Sequence, residues 1–365
     1  MSRYLFMISH PAHFHMFKHT IKNLQGEGHE IIAVIRPKDI LEQLCVDYGL
    51  AFVKTKNRPK RFGMFGLAIS LIGKTREVWK IVSKAKPDLL IGSDGVLAHI
   101  GFLKGIPSFE CYEDDAQAIK LYALMFFPFY THVISPEVCD AWLWNHKKIG
   151  YESYHELGYL HPNHFTPDRS VVNRYFPSEQ TFFIIRFAQL TAHHDVGIHG
   201  ITTEIAEQII KILAPHGTIY ITSERTLEPQ FEKYRINIKP LDMHHVMAFA
   251  SIYIGDSQTM AAEAGVLGTP FVRFNDFVGR LSYLNEIEDK YQLGFGHKTK
   301  DVSGFYQSIN MLINTPNRKE ICAEHRLKML NDKIDYSKFL TWFVKEYPVS
   351  KKVMIENPNY QYNFR

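Results

Sequence analysis

Three histidines follow the first apolar run of the chain and can exchange protons at neutral pH. His10, His13 and His15 lie in the segment SHPAHFHMF, at a predicted strand-to-helix turn. A histidine at such a strand end can act as general base on a hydroxyl nucleophile. The segment has no nearby acidic or cysteine partner and lacks the i, i+4 spacing of helical zinc ligands, so we expect no metal there. For His15 taken alone, packing or capping is the simpler interpretation.

Carboxylates follow two later strand-like runs. Asp94, in LLIGSDG, would either orient an imidazole of the first turn or serve as a turn residue before a glycine. The next run ends in four acidic residues, namely Glu110, Glu113, Asp114 and Asp115. Such residues can supply an acid/base pair or hold a divalent ion, but they more often form a solvated helix N-terminus, which we favour.

The segment IYIGDSQTMAAEAGVLGTPFV has the pattern of a strand, a tight turn, a helix and a second strand. Asp256 and Ser257 are good helix N-caps, and the predicted helix covers residues 259–267. Backbone N–H groups at such a helix start form an anion site suited to a diphosphate. Glu263 lies about two turns along, where its carboxylate could meet ribose hydroxyls. The alternative is an ordinary βα unit with a capping aspartate.

The other predicted strands of the second half also end in polar residues, which suit a diphosphate-binding site. These residues are Arg186, His193, His194, Asp195, His199, Ser223, Glu224, Arg273, Asn275 and Asp276. Surface loops are polar in any protein, so the pattern favours a binding site without proving one.

Strand and helix patterns alternate along most of the chain, which predicts an α/β fold of two doubly wound parallel sheets facing a central cleft. We predict strands at 4–9, 30–35, 89–91, 108–111, 132–135, 182–187, 218–222 and 252–255. Predicted helices are 14–24, 40–48, 75–84, 201–213, 244–250 and 259–267. The predicted domains are 1–158 and 179–340, joined by a linker at 159–178 and followed by a helix and tail at 341–365 that pack on the first domain.

Composition describes a globular protein, with 45% hydrophobic and 22% charged residues among 365. A formal net charge of +4 does not indicate a nucleic-acid binder. Four scattered cysteines form no CxxC pair, so neither a zinc site nor a disulfide framework is indicated and a cytoplasmic location is expected. The apolar run at 4–8 is a strand rather than a signal peptide, and the run at 121–134 is too short to span a bilayer.

The segment 58–79 mixes basic residues with large apolar ones. It is either a peripheral membrane or lipid-acceptor patch on the inner face of the membrane, or a core helix with a basic entry loop. The sequence leaves both interpretations open.

Two segments resemble GT-B enzymes, which are built from two Rossmann-type domains. GDSQTMAAEAGVLGTP is similar to the segment with which UDP-N-acetylglucosamine 2-epimerases and related glycosyltransferases hold UDP. This resemblance implies that Ser257 and Gln258 bind the diphosphate and that Glu263 binds the ribose. The first turn resembles the start of many GT-B glycosyltransferases, since the spacing from His13 to the G-H pair at His29 is the same, which implies that His13 is the base.

Other segments resemble the epimerases more closely. KPDLLIGSDG, SPEV and TAHHDVG are similar to epimerase motifs and imply roles for Asp94, Glu137, and His193 or His194. The epimerase opening G-T-R-P-E is absent. HELGYLHPNHFTPD and GTPFVRFNDFVG resemble a prokaryotic family catalogued as a domain of unknown function with a GT-B-like fold.

These resemblances imply an inverting glycosyltransferase of cell-surface glycan or polysaccharide biosynthesis that needs neither metal nor cofactor. Its donor would be a nucleotide sugar, expected to be a UDP-sugar, and its acceptor a saccharide or a lipid-linked acceptor. His13 would deprotonate the acceptor, and Arg186 with the helix start would stabilise the departing diphosphate. One alternative is an epimerising or hydrolysing UDP-sugar enzyme that uses Asp94, Glu113 and Glu137. The other is a non-catalytic nucleotide-sugar-binding protein.

Overall fold

The computed structural model of the chain describes residues 1–37, 40–56, 63–176, 180–188 and 199–365, with backbone only at 63–65, 67 and 68. Its strands are β1 (Arg3–Ile8), β2 (Glu30–Ile35), β3 (Val53–Lys54), β4 (Leu89–Gly92), β5 (Ser108–Cys111), β6 (His132–Pro136), β7 (Lys148–Tyr151), β8 (Phe182–Phe187), β9 (Thr218–Ser223), β10 (Ile252–Gly255), β11 (Phe271–Phe274) and β12 (Gly294–His297).

The α-helices alternate with these strands along most of the chain and then continue alone to the C-terminal region. They are α1 (Pro11–Gly26), α2 (Leu41–Tyr48), α3 (Gly63–Ala85), α4 (Val96–Lys104), α5 (Lys120–Phe126), α6 (Arg169–Val172), α7 (Thr203–Leu213), α8 (Met243–Phe249), α9 (Gln258–Leu267), α10 (Ser282–Asn285), α11 (Val302–Ile313), α12 (Arg318–Asp332), α13 (Tyr336–Lys345) and α14 (Val349–Glu356). Short 3-10 helices include Phe127–Phe129, Trp142–Lys147, His155–Gly158 and Pro358–Phe364.

The chain forms two compact units. The first unit contains residues 1–159 together with 334–365, and the second contains residues 160–333. The C-terminal helices α13 and α14 therefore belong to the first unit, where α13 packs on α1.

The first unit is built on a seven-stranded parallel sheet with the order β3-β2-β1-β4-β5-β6-β7. β1 lies between β2 and β4, with Met7 opposite both Val34 and Gly92. The inner strands are apolar and buried because helices cover both faces of a doubly wound sheet. All strands point the same way, so the polar residues that follow β1, β4, β5 and β6 lie along one edge of the sheet.

The second unit is built on a five-stranded parallel sheet with the order β12-β11-β10-β8-β9. Gly255, the last residue of β10, lies between Arg186 of β8 and Arg273 of β11. A side chain at Gly255 would meet the Arg186 carbonyl oxygen at 2.9 Å, so glycine is needed for this close approach. The carboxyl ends of β8, β10 and β11 therefore meet at one edge.

The prediction of two doubly wound parallel α/β sheets is confirmed. The predicted helix at 75–84 is part of α3, which already begins at Gly63 and carries Ile69 and Ile72 about half exposed. Residues 57–62 of the basic segment lie outside the described residues. In the part of the chain that the structure describes, no helix has the length and apolar character needed to cross a membrane.

Candidate functional site

Ser9 connects the two groups of the first unit that the sequence singles out. It lies between β1 and α1, and its backbone N–H donates to His13 Nδ1 at 3.4 Å. Its hydroxyl donates to the Asp94 carboxylate, which follows β4. The structure therefore places His13 and Asp94 at the same sheet edge and links them through Ser9.

His13 is a neutral imidazole in this setting. Burial lowers the pKa of His13 to about 3, with a further contribution from His10 and partial opposition from Asp94. Because Nδ1 accepts a hydrogen bond from Ser9, the ring proton lies on Nε2. His13 is thus unprotonated at neutral pH, as a general base must be, although a low pKa makes it a weak proton acceptor.

Asp94 forms a buried ion pair with Lys74 of α3. The Lys74 ammonium contacts the Asp94 carboxylate, with side chains that are 19% and 6% exposed. Burial alone would raise the pKa of Asp94, but the Lys74 charge and the hydrogen bonds from Lys74, Ser9 and the Val96 N–H lower it. Asp94 is therefore held in its ionised form.

Glu110 lies fully buried in β5, close to Asp94. Its Oε1 accepts from the Tyr122 hydroxyl at 2.9 Å and from Ser93 Oγ at 3.4 Å. Burial raises the pKa of Glu110 to about 8, against hydrogen bonds from Tyr130 and Tyr122 that favour ionisation. At pH 7 this carboxyl is mostly protonated, whereas Asp94 is ionised.

Glu113 belongs to a second buried carboxyl group, together with Glu156. Its Oε1 accepts from the His155 N–H at 2.8 Å, and its Oε2 lies 3.3 Å from His155 Nδ1. Burial and the charge of Glu156 raise the pKa of Glu113 well above its usual range. Glu137, suggested by the epimerase resemblance, follows β6 at the same sheet edge but is exposed.

Helix α9 of the second unit begins directly after the turn at Asp256 and Ser257. Ser257 caps the helix, and its Oγ accepts from the Met260 N–H at 3.4 Å. No hydrogen bond joins the backbone N–H groups of Gln258 and Thr259 to another described residue. The buried Gln258 Oε1 also has no hydrogen-bond partner in the described part of the chain. These groups are available to a ligand at the carboxyl end of β10.

Glu263 lies buried in α9 and contacts a histidine of α8. The Glu263 Oε1 lies 2.9 Å from His244 Nε2, and both side chains are 7% exposed. This contact orients the carboxylate, in the way that a second group positions a ligand-binding residue.

Asp256 is a positioning residue for the backbone around it. Its carboxylate accepts from the Ala188 N–H at 2.6 Å and the Ile201 N–H at 3.2 Å, and Asn275 Nδ2 donates to its carbonyl oxygen at 3.0 Å. Burial raises the pKa of Asp256 to about 6, partly opposed by these two backbone donors. Both of its carboxylate oxygens are used inside the protein.

Arg186 and Glu224 pair across the ends of β8 and β9. The Arg186 guanidinium donates to the Glu224 carboxylate, and its buried Nε has no partner within the described ranges. Ser223 folds onto its own turn, since its Oγ donates to the Arg225 carbonyl and accepts from the Arg225 N–H at 3.1 Å. His193 and His194 lie outside the described residues, and their proposed roles stay predictions.

The sequence interpretation missed several groups that contact the predicted ones. They are Ser9, Lys74, Tyr122, Tyr130, His155, Glu156 and His244. Lys74 had a detectable signal, because it lies on the apolar stripe of α3 four residues before the buried Val78. In the described part of the chain, no group of three or more His, Cys, Asp or Glu side chains is arranged to hold a metal ion.

Three solved structures share the fold of this chain. The S. aureus MnaA–UDP structure has a TM-score of 0.66 and 12% identity, over 95% of this chain and 97% of that one. A putative UDP-N-acetylglucosamine 2-epimerase from Listeria monocytogenes has a TM-score of 0.66 and 10% identity, over 95% and 96%. The spinosyn forosaminyltransferase SpnP has a TM-score of 0.60 and 13% identity, over 92% and 96%.

At these identities the likeness shows the fold alone, which is the GT-B fold of two Rossmann-like domains. A search of the curated proteins found no match. Residues 5–285 match the family described as "Protein of unknown function (DUF354)". The chain belongs to this family, as the two segments HELGYLHPNHFTPD and GTPFVRFNDFVG predicted.

Proposed function

We propose that the protein is a glycosyltransferase that uses a nucleotide sugar, namely a UDP-sugar, as donor. The observation that carries the proposal is the start of α9, where the unbonded N–H groups of Gln258 and Thr259 precede the buried Glu263–His244 pair. The N–H groups suit a diphosphate, and the oriented carboxylate suits ribose hydroxyls. The second unit would therefore bind the nucleotide.

The proposed transfer needs one base and one stabilised leaving group. The acceptor oxygen bonds to the sugar C1 while the bond from C1 to the diphosphate oxygen breaks, and UDP leaves with that electron pair. The acceptor proton passes to His13 Nδ1, the unprotonated ring nitrogen, which exchanges its 3.4 Å hydrogen bond with the Ser9 N–H for one with the acceptor hydroxyl. The α9 N-terminus and the Arg186 guanidinium would offset the charge on the departing diphosphate, so the step needs no metal.

The His13→Ala substitution tests the transfer chemistry. We expect the transfer rate to fall by about 10²- to 10⁴-fold, the usual contribution of a general base, with UDP affinity unchanged. Transfer is measured as UDP release from UDP-N-acetylglucosamine with a panel of saccharide and lipid-linked acceptors, and UDP affinity by calorimetry. His146→Ala, an exposed histidine of the same unit, is the control. Normal turnover in His13→Ala would remove His13 from the mechanism.

A second candidate function is epimerisation or hydrolysis of a UDP-sugar. It is favoured by the opposite pKa shifts of neighbouring carboxyl groups in the first unit. The pKa of Asp94 is lowered, whereas the pKa of Glu110 is raised to about 8 and that of Glu113 is also raised. An ionised carboxylate and a protonated carboxyl group that lie close together can act as the base and the acid of one reaction. In this reaction a base removes the C2 proton, a C1–C2 double bond forms and UDP departs with the electrons of the C1–O bond.

Incubation with UDP-N-acetylglucosamine alone in D2O separates the two functions. The epimerase class predicts deuterium at C2, a changed sugar or free UDP without any acceptor, all visible by NMR. If Glu110 is the acid, the rate should fall as pH rises through about 8, and Glu110→Gln should lower it by about 10²-fold or more. Unlabelled, unchanged substrate would exclude this candidate for that sugar.

A further inference from the structure

The second unit has a cavity at the amino end of its sheet, away from the strand ends described above. The cavity has a volume of about 430 Å³. It is lined by Arg169, Gln180, Thr181, Phe182, Phe249, Ser251 and Lys319. Phe182 begins β8 and Arg186 lies four residues along, so the cavity and the α9 start are separated by roughly 13 Å of strand.

Two basic residues of the cavity wall have no acidic partner within the described ranges. Arg169 lies with its guanidinium carbon 5.2 Å from the Phe249 ring centroid, and its buried Nε has no hydrogen-bond partner there. Lys319 donates to the Ala248 carbonyl and to Thr269 Oγ, both at 2.9 Å, which are neutral acceptors.

Three acidic residues are adjacent in sequence to residues of this wall, and one of them, Glu179 before Gln180, lies outside the described residues. The Asp168 carboxylate accepts from the Ser170 N–H at 2.8 Å and caps α6, and Glu320 is exposed. Arg318, beside Lys319, donates to Ser251 Oγ at 2.6 Å and to three backbone carbonyls, and forms no ion pair with a described residue. Among the described residues that line the cavity, two are basic and none is acidic.

Two further features favour an anion. Burial lowers the pKa of Lys319 to about 8, against opposing contributions from Cys322 and Glu320, which means that its ammonium is partly desolvated. Arg318 and Lys319 are the first residues of α12, a 15-residue helix whose N-cap residue, Asn317, makes no side-chain capping hydrogen bond. The positive end of the helix dipole thus adds to the two side chains.

We propose that this cavity is a second ligand site, which binds a small phosphorylated compound through Arg169 and Lys319. The site is an open depression in the surface of the unit, and the Phe249 ring offers an apolar surface beside the charged wall. Phosphate is the favoured group because an arginine fork, a lysine point charge and a helix N-terminus recognise it together. The site does not depend on the proposed catalytic activity.

Calorimetric titration of the full chain with inorganic phosphate at constant ionic strength tests the proposal. Wild-type protein should bind phosphate, and Arg169→Gln and Lys319→Gln should each weaken binding about tenfold or more. Thr181→Glu, which adds a carboxylate at an exposed position of the wall, should have the same effect without removing an internal contact. Lys211→Gln, an exposed lysine on α7, should leave binding unchanged.

Repeating the phosphate titration in saturating UDP distinguishes phosphate binding in this cavity from phosphate binding at the proposed nucleotide site. Phosphate should still bind, with the same dependence on Arg169 and Lys319. Absence of phosphate binding in the wild type, equal affinity in all four variants, or complete displacement by UDP would each overturn the proposal. If UDP itself does not bind, the nucleotide proposal fails while the phosphate titration still decides this one.

Discussion

Replacement of Asp94 by asparagine is expected to lower the free energy of unfolding of the first unit by about 3–5 kcal/mol. The substitution leaves the largely buried Lys74 ammonium without its carboxylate, and an uncompensated buried charge is strongly destabilising. All four tryptophans of the chain lie in this unit, at Trp79, Trp142, Trp144 and Trp342. Urea unfolding followed by tryptophan fluorescence therefore measures the affected unit.

A surface ion pair of the same unit provides the matched control. Lys54 and Glu42 are 48% and 42% exposed, so Glu42→Gln should cost less than about 1 kcal/mol. The double variant Asp94→Asn/Lys74→Met should regain most of the lost stability, because it removes both charges together. A double variant no more stable than Asp94→Asn would show that Lys74 is not the cause.

The pH dependence of this effect has a defined sign. The pKa of Asp94 is lowered in the folded protein, so its contribution to stability is complete above the unfolded-state value of 3.8 and is lost as pH falls through the folded-state pKa. The stability difference between wild type and Asp94→Asn should be constant from about pH 5 to 7 and shrink in more acidic solution. The double variant Asp94→Asn/Lys74→Met should be inactive even though it is stable, because Asp94 also contacts Ser9 beside His13.

Most strand positions, although not those of β3, β7 and β12, could be predicted from sequence because local chemistry determines them. The observed bounds of β2, β5, β8 and β10 match the prediction, since each is an apolar run bounded by glycine, proline or polar residues. Helix α4 was not predicted because it is apolar on nearly all sides and lacks a 3.6-residue pattern. β3 has two residues and is too short for an alternation to appear.

The sheet-edge positions of the candidate site residues could be predicted from the strands that precede them. The side chains that contact these residues could not be predicted. Polar residues after strands of a parallel sheet meet at one edge, which brought Asp94 and His13 together in the prediction. Lys74 reaches Asp94 from α3, and His244 reaches Glu263 from α8, through tertiary packing of separate elements. Such contacts depend on helix orientation, which a single sequence does not specify. The Asp94–Lys74 pair is the clearest example, because it determines the charge beside His13.

Replacement of Glu263 by glutamine is expected to weaken UDP binding by about 10- to 100-fold. The substitution keeps the size of the side chain and removes the charge that would strengthen its hydrogen bonds to ribose hydroxyls. The measurement is calorimetric titration with UDP, and Glu207→Gln, an exposed glutamate on α7, is the control.

The 2′-deoxy analogue of UDP decides whether Glu263 contacts the ribose or only supports His244. If Glu263 binds the 2′-hydroxyl, wild-type protein should bind deoxy-UDP more weakly than UDP. The Glu263→Gln variant should then bind the two nucleotides with nearly equal affinity. A loss of the same size for both nucleotides would assign Glu263 a structural role through its 2.9 Å contact with His244. The His244→Phe variant refines this result, because it leaves the carboxylate but removes the imidazole that orients it. If Glu263 binds the ribose, His244→Phe should have a UDP affinity between those of wild type and Glu263→Gln. It should also retain part of the preference for UDP over deoxy-UDP.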